Sequence, residues 1–343
     1  MFSLKKSTTI AFALTAAMAL AGCGGGKSSD SGANHITIQL DYQPRGIHAI
    51  FYVADKLGYF EREGITVDDI LIGRSSGDTL RLVGSGKANF GMSDLPTLVV
   101  ARSQNVPVKA LAAVNQKSPL GMCTVASKHK LTSPNDLKGL SVGVQSAGST
   151  YVFYKALLAA NGIPADALTE RTVQPPYENY LLTGQVDTVP CYSDAEVPIL
   201  EQHAGGPASL SILDGSAWGY DTYGSGIFTS DEVIHKNPDL AQRFMNAYVK
   251  AFAHVIESPD EAAKILANSS PQLAGNLDLY RAQLAADIAG SFENDQTRAH
   301  GLGFMDGGTW QKTIDMLAQQ GVIKTSPKVT DVQDASFVEK AGK

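Results

Sequence analysis

Cysteine and positive charge are scarce in this chain of 343 residues, and each shortage excludes a class of protein. Lysine and arginine total 28 against 34 acidic residues, and no basic run occurs, so nucleic-acid binding lacks its electrostatic basis. Of the three cysteines, Cys123 and Cys191 lie too far apart for the paired spacing of a zinc site. These two residues could form one disulfide in an oxidising compartment or remain buried free thiols.

Catalytic signatures are also lacking. The segment Gly84-Ser85-Gly86-Lys87 is similar to a phosphate-binding loop, but Arg81 stands where the leading glycine belongs and Ala88 replaces the hydroxyl residue that binds Mg²⁺. Ser85 and Ser225 lie between glycines without completing a nucleophile-elbow motif. No H-E-x-x-H or EF-hand motif occurs, and the seven histidines are scattered. We therefore expect no catalytic residue, no metal site and no cofactor.

The remaining composition is that of an ordinary soluble globular protein, with 43% apolar and 18% charged residues. The length is enough for about two domains, each with its own core. After residue 22, no apolar run approaches the roughly 20 residues that a membrane-spanning helix needs. We therefore expect a soluble body.

The first 34 residues have the layout of an export signal followed by a tether. Lys5 and Lys6 precede an apolar run at 10–20, which ends in Leu20-Ala21-Gly22-Cys23. This layout resembles a bacterial lipoprotein signal, which predicts removal of residues 1–22 and attachment of lipid, such as palmitate, to Cys23. A plain secretory signal with an incidental cysteine is the alternative. Residues 23–34 are rich in glycine and serine and predict a flexible tether.

Strand and helix patterns alternate along the rest of the chain, which favours an α/β fold with a largely parallel sheet. We predict strands at 36–40, 65–71, 90–92, 108–114, 122–126, 140–144, 186–191 and 223–229. From Pro238 onward the chain is predicted to be almost wholly helical. The order of the elements indicates a second α/β unit inserted within a first one, whose helical tail returns at the end.

Polar and aromatic residues collect at the predicted carboxyl ends of the strands, the edge at which open α/β sheets bind ligands. These candidate ligand-binding residues are Tyr42, Ser93 and Asp94 in the first unit, and Ser146, Ser149, Thr150, Tyr192 and Glu196 in the second. The segment 146–150 opens a helix, so its N–H groups and hydroxyls could receive an anion or a carbonyl oxygen. Simple capping of that helix by Ser149 is the alternative.

Four of the candidate residues have a structural interpretation beside the functional one. Tyr42 could stack on a flat ligand or pack on a neighbouring loop at the rim. His48, in the first turn of its helix, could donate to a ligand or act as a cap or core histidine. Tyr223, in an aromatic cluster with Trp218 and Tyr220, could line the crevice or pack at a hinge. Glu196 begins a helix, where the dipole favours a carboxylate in any case.

Longer segments resemble a known family. The matching segments are LDYQP at 40–44, HA at 48–49, YVA at 52–54, GYF at 58–60, EG at 63–64, LVGSGKANFG at 82–91, SPNDLKG at 133–139, LLTGQVD at 181–187 and NPDL at 237–240. They resemble the solute-binding proteins of ABC importers, in the branch that includes binders of thiamine pyrimidines, riboflavin, taurine, nitrate and alkanesulfonates. The resemblance extends in order over nearly all of the chain that follows the signal.

This resemblance implies a type II periplasmic-binding-protein fold, in which two α/β lobes enclose a ligand cleft. We place one lobe at 35–122 and 225–343 and the other at 123–224, joined by two crossing strands near 121–125 and 224–228. The lobes would close over the ligand by a hinge motion, and the importer's permease would recognise the closed form. The chain would then be an extracytoplasmic, lipid-anchored monomer that carries out no chemistry.

The resemblance is greatest to the thiamine-precursor subgroup, on the residues Asp41, Tyr42 and His48. In that subgroup an aromatic residue, usually tryptophan, stacks on the pyrimidine, and Tyr42 stands at its position here. Carboxylates at Asp94 and Glu196 suit donor groups such as an aminopyrimidine and disfavour an anionic sulfonate. We therefore expect a neutral or amine-bearing aromatic or heterocyclic ligand, with a sulfonate, taurine or nitrate as the alternative.

Two rival functions belong to other classes. Pyrimidine synthases of the yeast type resemble these binders but are enzymes with a cysteine-rich, iron-associated segment, whereas none of the three cysteines here is clustered. The sensor domain of a membrane receptor is the other rival, and no signalling module follows in the sequence. We expect neither.

Overall fold

The computed structural model describes residues 34–174 and 176–342. The predicted signal peptide, Cys23 and the tether up to residue 33 lie outside this part of the chain. Its strands are β1 Asn34–Gln39, β2 Ile65–Leu71, β3 Phe90–Asp94, β4 Val108–Ala113, β5 Leu120–Val125, β6 Ser141–Val144, β7 Thr169–Thr172, β8 Val189–Tyr192, β9 Leu210–Asp214 and β10 Ser225–Ser230.

Helices connect these strands and make up most of the chain after β10. They are α1 Ala49–Lys56, α2 Tyr59–Arg62, α3 Ser76–Gly84, α4 Leu95–Ser103, α5 Ser149–Ala160, α6 Glu178–Leu182, α7 Glu196–Ala204, α8 Asp231–Lys236, α9 Pro238–Glu257, α10 Pro259–Ala267, α11 Leu277–Gly290, α12 Asp295–His300, α13 Gly307–Gln319, α14 Val329–Val332 and α15 Ser336–Ala341. No helix in the described ranges is long and apolar enough to cross a membrane.

The first sheet has five strands in the order β2-β1-β3-β10-β4. β1 pairs in parallel with β2 and β3, and β10 lies antiparallel between β3 and β4. The amphipathic helix α9 packs on this sheet, with the Phe244 ring stacked on Phe90 at a centroid distance of 3.8 Å. Because α9 follows β10 in the sequence, the tail of the chain returns to the first unit, as predicted. This sheet and its helices are called lobe 1 below.

The second sheet is built from strands inserted between β4 and β10. β5 pairs antiparallel with β8 on one side and β9 on the other, and β6 pairs in parallel with β7. An isolated parallel bridge between Val142 and Thr188 links the two-stranded sheet β6-β7 to the start of β8 in the three-stranded sheet β8-β5-β9. These strands and their helices are called lobe 2. One strand in each lobe, β10 in lobe 1 and β5 in lobe 2, opposes both of its neighbours and so differs from the otherwise parallel arrangement that the sequence predicts.

The position of the reversed strands explains that difference. β5 and β10 are the strands that directly follow the two connections between the lobes. A strand that arrives from the other lobe starts at the edge facing that lobe, where the parallel strands of its own sheet end. It must therefore run against them.

The two connections, residues 114–119 and 215–224, form the hinge. They run side by side, with Gly224 N donating to Asn115 O at 3.0 Å and Ser118 N donating to Thr222 O at 2.7 Å. The predicted crossings at 121–125 and 224–228 lie slightly too late in the chain, because those apolar residues pair within one sheet each as β5 and β10. The predicted lobe boundaries at 122/123 and 224/225 remain predictions.

A disulfide joins Cys123 in β5 to Cys191 in β8, inside the core of lobe 2. Both residues are fully buried, and their Cα atoms are 5.9 Å apart. The sequence left open either a disulfide or two free thiols, and the structure contains the disulfide.

Candidate functional site

A cleft between the two lobes holds the main cluster of polar and aromatic side chains. It is lined by Asp41, Tyr42, Arg45, Arg74, Ser75 and Ser76 from lobe 1 and by Gln145, Gly148, Ser149, Thr150, Tyr177, Tyr192 and Glu196 from lobe 2. The enclosed cavity is small, about 30 Å³, which is room for about two water molecules. The lobes therefore lie close together in this structure.

Two tyrosines face each other across the cleft. Tyr42 follows β1 in lobe 1 and Tyr177 precedes α6 in lobe 2, and their ring centroids lie 6.4 Å apart with the planes tilted by 49°. The Tyr42 hydroxyl is buried without a hydrogen-bond partner in the described protein. The pair provides two π-faces and a free hydroxyl, which suits a flat ligand with a polar edge.

A buried carboxyl group, that of Glu196, lies beside these rings. Its Oε2 accepts a hydrogen bond from the Tyr192 backbone N at 2.9 Å, and Tyr177 lines the same cleft. Burial, and after it the charge of Glu178, raises the pKa of Glu196 from 4.5 to about 7. Near neutral pH this group can therefore accept as a carboxylate or donate as an acid, according to what the ligand offers.

The floor of the cleft on the lobe 1 side is an ion pair. Arg45 Nη1 lies 2.8 Å from Asp41 Oδ1, and His48 Nε2 lies 2.9 Å from the same oxygen. Burial by itself raises the pKa of Asp41, but the charge of Arg45 and the hydrogen bonds from His48 and Arg45 outweigh it and hold that pKa below its ordinary value. The Arg45 guanidinium also lies over the Tyr192 ring of lobe 2, 5.7 Å from its centroid.

Two helix N-termini approach the cleft from opposite lobes, α3 from lobe 1 and α5 from lobe 2. A Cβ on Gly77 would lie only 2.8 Å from Ala147 O, so the backbone segments nearly touch there. Ser149 Oγ accepts from the Tyr192 hydroxyl at 2.6 Å rather than capping α5, whose N-cap is Gly148. The N–H groups at this end of the cleft favour an acceptor or an anion.

The structure brings five of the ten predicted ligand-binding residues to the cleft, namely Tyr42, Ser149, Thr150, Tyr192 and Glu196. Asp94 does not line the cavity: it caps α4, its Oδ2 accepting from Thr97 N at 2.9 Å, and burial raises its pKa to about 7. Ser93 is fully buried beside it.

The other three predicted residues also lie away from the cavity. His48 is fully buried behind Asp41, where it is a core histidine, the structural alternative given in the sequence analysis. Tyr223 packs against Trp310 at a centroid distance of 5.9 Å, and its hydroxyl accepts from Asp306 N at 2.7 Å. Ser146 is exposed in the loop before α5.

The sequence analysis missed several residues of the cleft, chiefly Arg45, Tyr177, Ser75 and Ser76. A signal for Ser75 existed, because 73–77 reads G-R-S-S-G and completes the G-x-S-x-G pattern. The structure shows no elbow there: Ser75 has an extended backbone, with φ −169°, and its Oγ caps α3 by accepting from Asp78 N. No signal in the sequence singles out Tyr177.

Two lobes, each an α/β sheet with helices, joined by two connections around a cleft, form the fold of the periplasmic binding proteins. A ligand-binding component of an ABC-type import system from Staphylococcus aureus superposes with a TM-score of 0.68 over 90% of this chain and 99% of its own, at 14% identity. The alkanesulfonate-binding protein of Xanthomonas axonopodis superposes with a TM-score of 0.67 over 88% and 98% of the two chains, at 16% identity.

Sequence comparison identifies the family within this fold. Residues 46–262 match the family described as NMT1/THI5 like, and the chain belongs to that family. The formylaminopyrimidine-binding protein of Halalkalibacterium halodurans is 27% identical over 91% of this chain and 93% of its own. The riboflavin-binding protein of Chloroflexus aurantiacus is 27% identical over 88% and 84% of the two chains. A 4-amino-5-hydroxymethyl-2-methylpyrimidine phosphate synthase of Saccharomyces cerevisiae is 25% identical over 72% and 75%.

Proposed function

We propose that the chain is the extracytoplasmic solute-binding component of an ABC importer and captures a small amine-bearing heterocycle of the thiamine-pyrimidine kind. The observation that carries this proposal is the juxtaposition of the Tyr42 and Tyr177 rings with the buried Glu196 carboxyl. An aminopyrimidine has a flat ring for the tyrosines and an N–H donor beside a ring nitrogen for the carboxyl group.

The charges around the rings favour such a ligand over an anion. Burial raises the pKa of Glu178 too, and one of its carboxyl oxygens is buried without a partner. An anionic group placed beside Glu196 would have to be desolvated next to an acidic side chain, with the charge of Glu178 also acting there, which is costly. A donor such as an exocyclic amine would instead be stabilised by Glu196.

The relatives support the same class of ligand. Two of them are named as binders of heterocycles, a formylaminopyrimidine and riboflavin, at 27% identity each. This identity is compatible with a shared class of ligand, and the choice within the class depends on the residues that line this cleft.

A second candidate ligand is a sulfonate, taurine or nitrate. The approach of the α3 and α5 N-termini to the cleft, with Arg74 beside it, favours an anion at that end. Structural relatives include proteins named for alkanesulfonate and nitrate binding. In our proposal this end of the cleft receives a neutral acceptor group of the heterocycle.

Location, partners and the absence of catalysis are part of the proposal. The lipoprotein-like signal ending at Cys23 would anchor the chain outside the cytoplasm, and the buried Cys123–Cys191 disulfide suits an oxidising compartment. Delivery to a permease would follow lobe closure, with the chain as a monomer. Because two cysteines are joined in that disulfide and the third is expected to carry lipid, we propose that the chain is not a synthase, although synthases are among its relatives.

A thermal-shift screen of the chain from residue 24 onward tests this proposal. The panel contains formylaminopyrimidine, 4-amino-5-hydroxymethyl-2-methylpyrimidine, riboflavin, taurine, ethanesulfonate and nitrate. A ligand at 100 times its Kd adds about 2.7 kcal/mol, which raises Tm by several degrees. We expect a shift with a heterocycle. A rise in Tm with the sulfonates or nitrate alone would mean that the helix N-termini bind the ligand, and it would contradict the proposal.

A further inference from the structure

Two further buried acidic side chains lie where α11 packs against the turn before α7, outside the cavity just described. Asp194 lies in lobe 2, in the turn between β8 and α7, and Asp287 lies on α11. Both are almost completely buried, at 3% and 1% exposure. Gln283, one turn before Asp287 on the same face of α11, donates from Nε2 to Ala195 O at 3.0 Å and so holds α11 against this turn.

Three of the four carboxyl oxygens of these two residues are left without a donor. Both carboxyl oxygens of Asp194 and Oδ2 of Asp287 are buried with no hydrogen-bond partner in the described protein. The other oxygen of Asp287 accepts from Asn115 Nδ2 at 3.0 Å, and Asn115 is part of the hinge. Two ionised carboxylates cannot share a buried site without a donor or a cation between them.

We propose that Asp194 and Asp287 form a proton-binding site that is completed only when the lobes close, so that closure takes up one proton. The proton lies between the two carboxyl groups and is donated by one to the other. When the lobes separate, both carboxyl groups become hydrated and the shared proton is released to water. The proposal depends on the proposed function only in that the two lobes open and close.

The charged and titratable groups around the pair do not supply a substitute for the proton. Arg45 faces both carboxyl groups and its charge opposes the rise of the Asp287 pKa, but Nη1 and Nη2 donate to Asp41 and the Asp287 pKa is raised in spite of it. His48 also faces Asp194, and burial, then the charge of Arg45, lowers its pKa, so it is neutral near pH 7. Tyr248 on α9 faces Asp287 and remains protonated, because burial raises its pKa well above the ordinary value.

An exposed ion pair borders the same region. Lys117 and Asp214 line the cavity that Asp194 also borders, and their side chains are joined at 3.0 Å with about half of each exposed. Lys117 and Asp214 neutralise each other at the surface, so the charge of Lys117 does not compensate the negative charge of Asp194 and Asp287. Burial, and after it the charge of Asp194, raises the pKa of Asp287 well above its ordinary value.

The sign of the effect follows from linkage. Asp287 has its ordinary acidity when the lobes are open and a raised pKa when they are closed, so its contribution to closure is complete below about pH 4 and is lost as the pH rises through the closed-state value. Uptake of one proton changes the ratio of closed to open molecules by up to about tenfold per pH unit in that window.

A distance measurement between the lobes tests the proposal without any ligand. Spin labels on Lys87→Cys in lobe 1 and Lys138→Cys in lobe 2, both exposed positions, report the closed fraction by double electron–electron resonance in the chain from residue 24 onward. We expect the closed fraction to rise as the pH falls from 8 to 5. In Asp287→Asn the amide mimics the protonated acid, accepting from Asn115 and donating to Asp194, so the pH response should become shallower and retain only the part due to Glu196 in the cleft.

Two further variants keep the result interpretable. Asp194→Asn places the amide on the other partner and should flatten the response in the same way. Asp295→Asn removes an exposed carboxylate from α12 and should leave the response as in the wild type. Three results would overturn the proposal: a wild type whose closed fraction does not depend on pH, an Asp287→Asn variant with the full wild-type pH response, or closure driven at pH 8 by added Ca²⁺. Because no ligand is present, these outcomes are independent of which solute the cleft binds.

Discussion

Arg45 donates to both carboxyl oxygens of Asp41, from Nη1 to Oδ1 at 2.8 Å and from Nη2 to Oδ2 at 3.2 Å, and both side chains are less than a tenth exposed. This pair lies on either side of the turn that carries Tyr42 to the cleft. The Arg45 backbone N also donates to His48 Nδ1 at 3.2 Å, which ties the same turn to the start of α1. The position of the Tyr42 ring therefore depends on a buried charge pair.

Asp41→Asn should destabilise the protein strongly, because it leaves the buried Arg45 charge without a counterion. Removal of one partner of a buried pair costs about 3–5 kcal/mol. Urea unfolding at pH 7 measures the loss. Asp239→Asn is the control, since its partner Arg243 and its own exposed side chain form a surface pair worth less than about 1 kcal/mol. Equal losses in the two variants would show that the buried pair is not structural.

Glu196 should make the ligand-free protein less stable as the pH rises from 5 to 8. Its pKa is raised from 4.5 to about 7, so its contribution is complete below pH 4.5 and is lost as the pH rises through 7. A shift of this size corresponds to about 3 kcal/mol. The midpoint of urea unfolding at the two pH values gives the slope.

Glu196→Gln should reduce that slope, leaving the part due to Asp94, Asp287 and Glu178, whose pKa values are also raised. Glu201→Gln, on the same helix but outside the cleft, should retain the wild-type slope. A Glu196→Gln variant with the full slope would mean that Glu196 is ionised throughout this range.

Tyr42→Ala should weaken ligand binding without unfolding the protein, because the side chain is only partly buried at the mouth of the cleft. Loss of aromatic stacking on a heterocyclic base costs about 1–3 kcal/mol, or roughly 5- to 150-fold in Kd. Tyr180→Ala removes a partly buried tyrosine near the same region that does not line the cleft and should retain the wild-type Kd. Equal Kd values for both variants would remove Tyr42 from the site.

Replacement of Cys123 and Cys191 by alanine should cost stability through the unfolded state. The bond closes a segment with a sequence separation of 68, for which the chain-entropy estimate is about 4 kcal/mol. Thermal unfolding of the double variant should therefore show a Tm several degrees lower. A Tm unchanged by the double replacement, or by a reductant, would contradict this contribution.

Strands with an apolar alternation were predictable from the sequence, and those without it were not. The Ile36, Ile38, Leu40 pattern gives β1, and the run at 65–71 coincides with β2. β7, with the sequence TERT, is exposed at all four residues and carries no hydrophobic signal. It forms because its backbone pairs with β6, a long-range contact that local sequence does not contain.

The same distinction applies to the cleft. Residues directly after predicted strands, such as Tyr42 and Glu196, could be found from the rule that ligands bind at strand ends. Tyr177 lies in a loop of lobe 2 and meets Tyr42 of lobe 1 only because the lobes approach each other. Asp94 follows the strand-end rule but is used to cap α4 instead. The rule locates the edge of the sheet, whereas the direction of each side chain depends on tertiary packing.

The central claim is that the cleft binds an amine-bearing heterocycle through the two tyrosines and Glu196. Calorimetric titration of the chain from residue 24 onward with formylaminopyrimidine and, separately, with ethanesulfonate tests it most directly. We predict measurable heat and a defined Kd for the aminopyrimidine, weakened in Glu196→Gln, and no binding of the sulfonate. Tight binding of ethanesulfonate with no response to the aminopyrimidine would contradict the account.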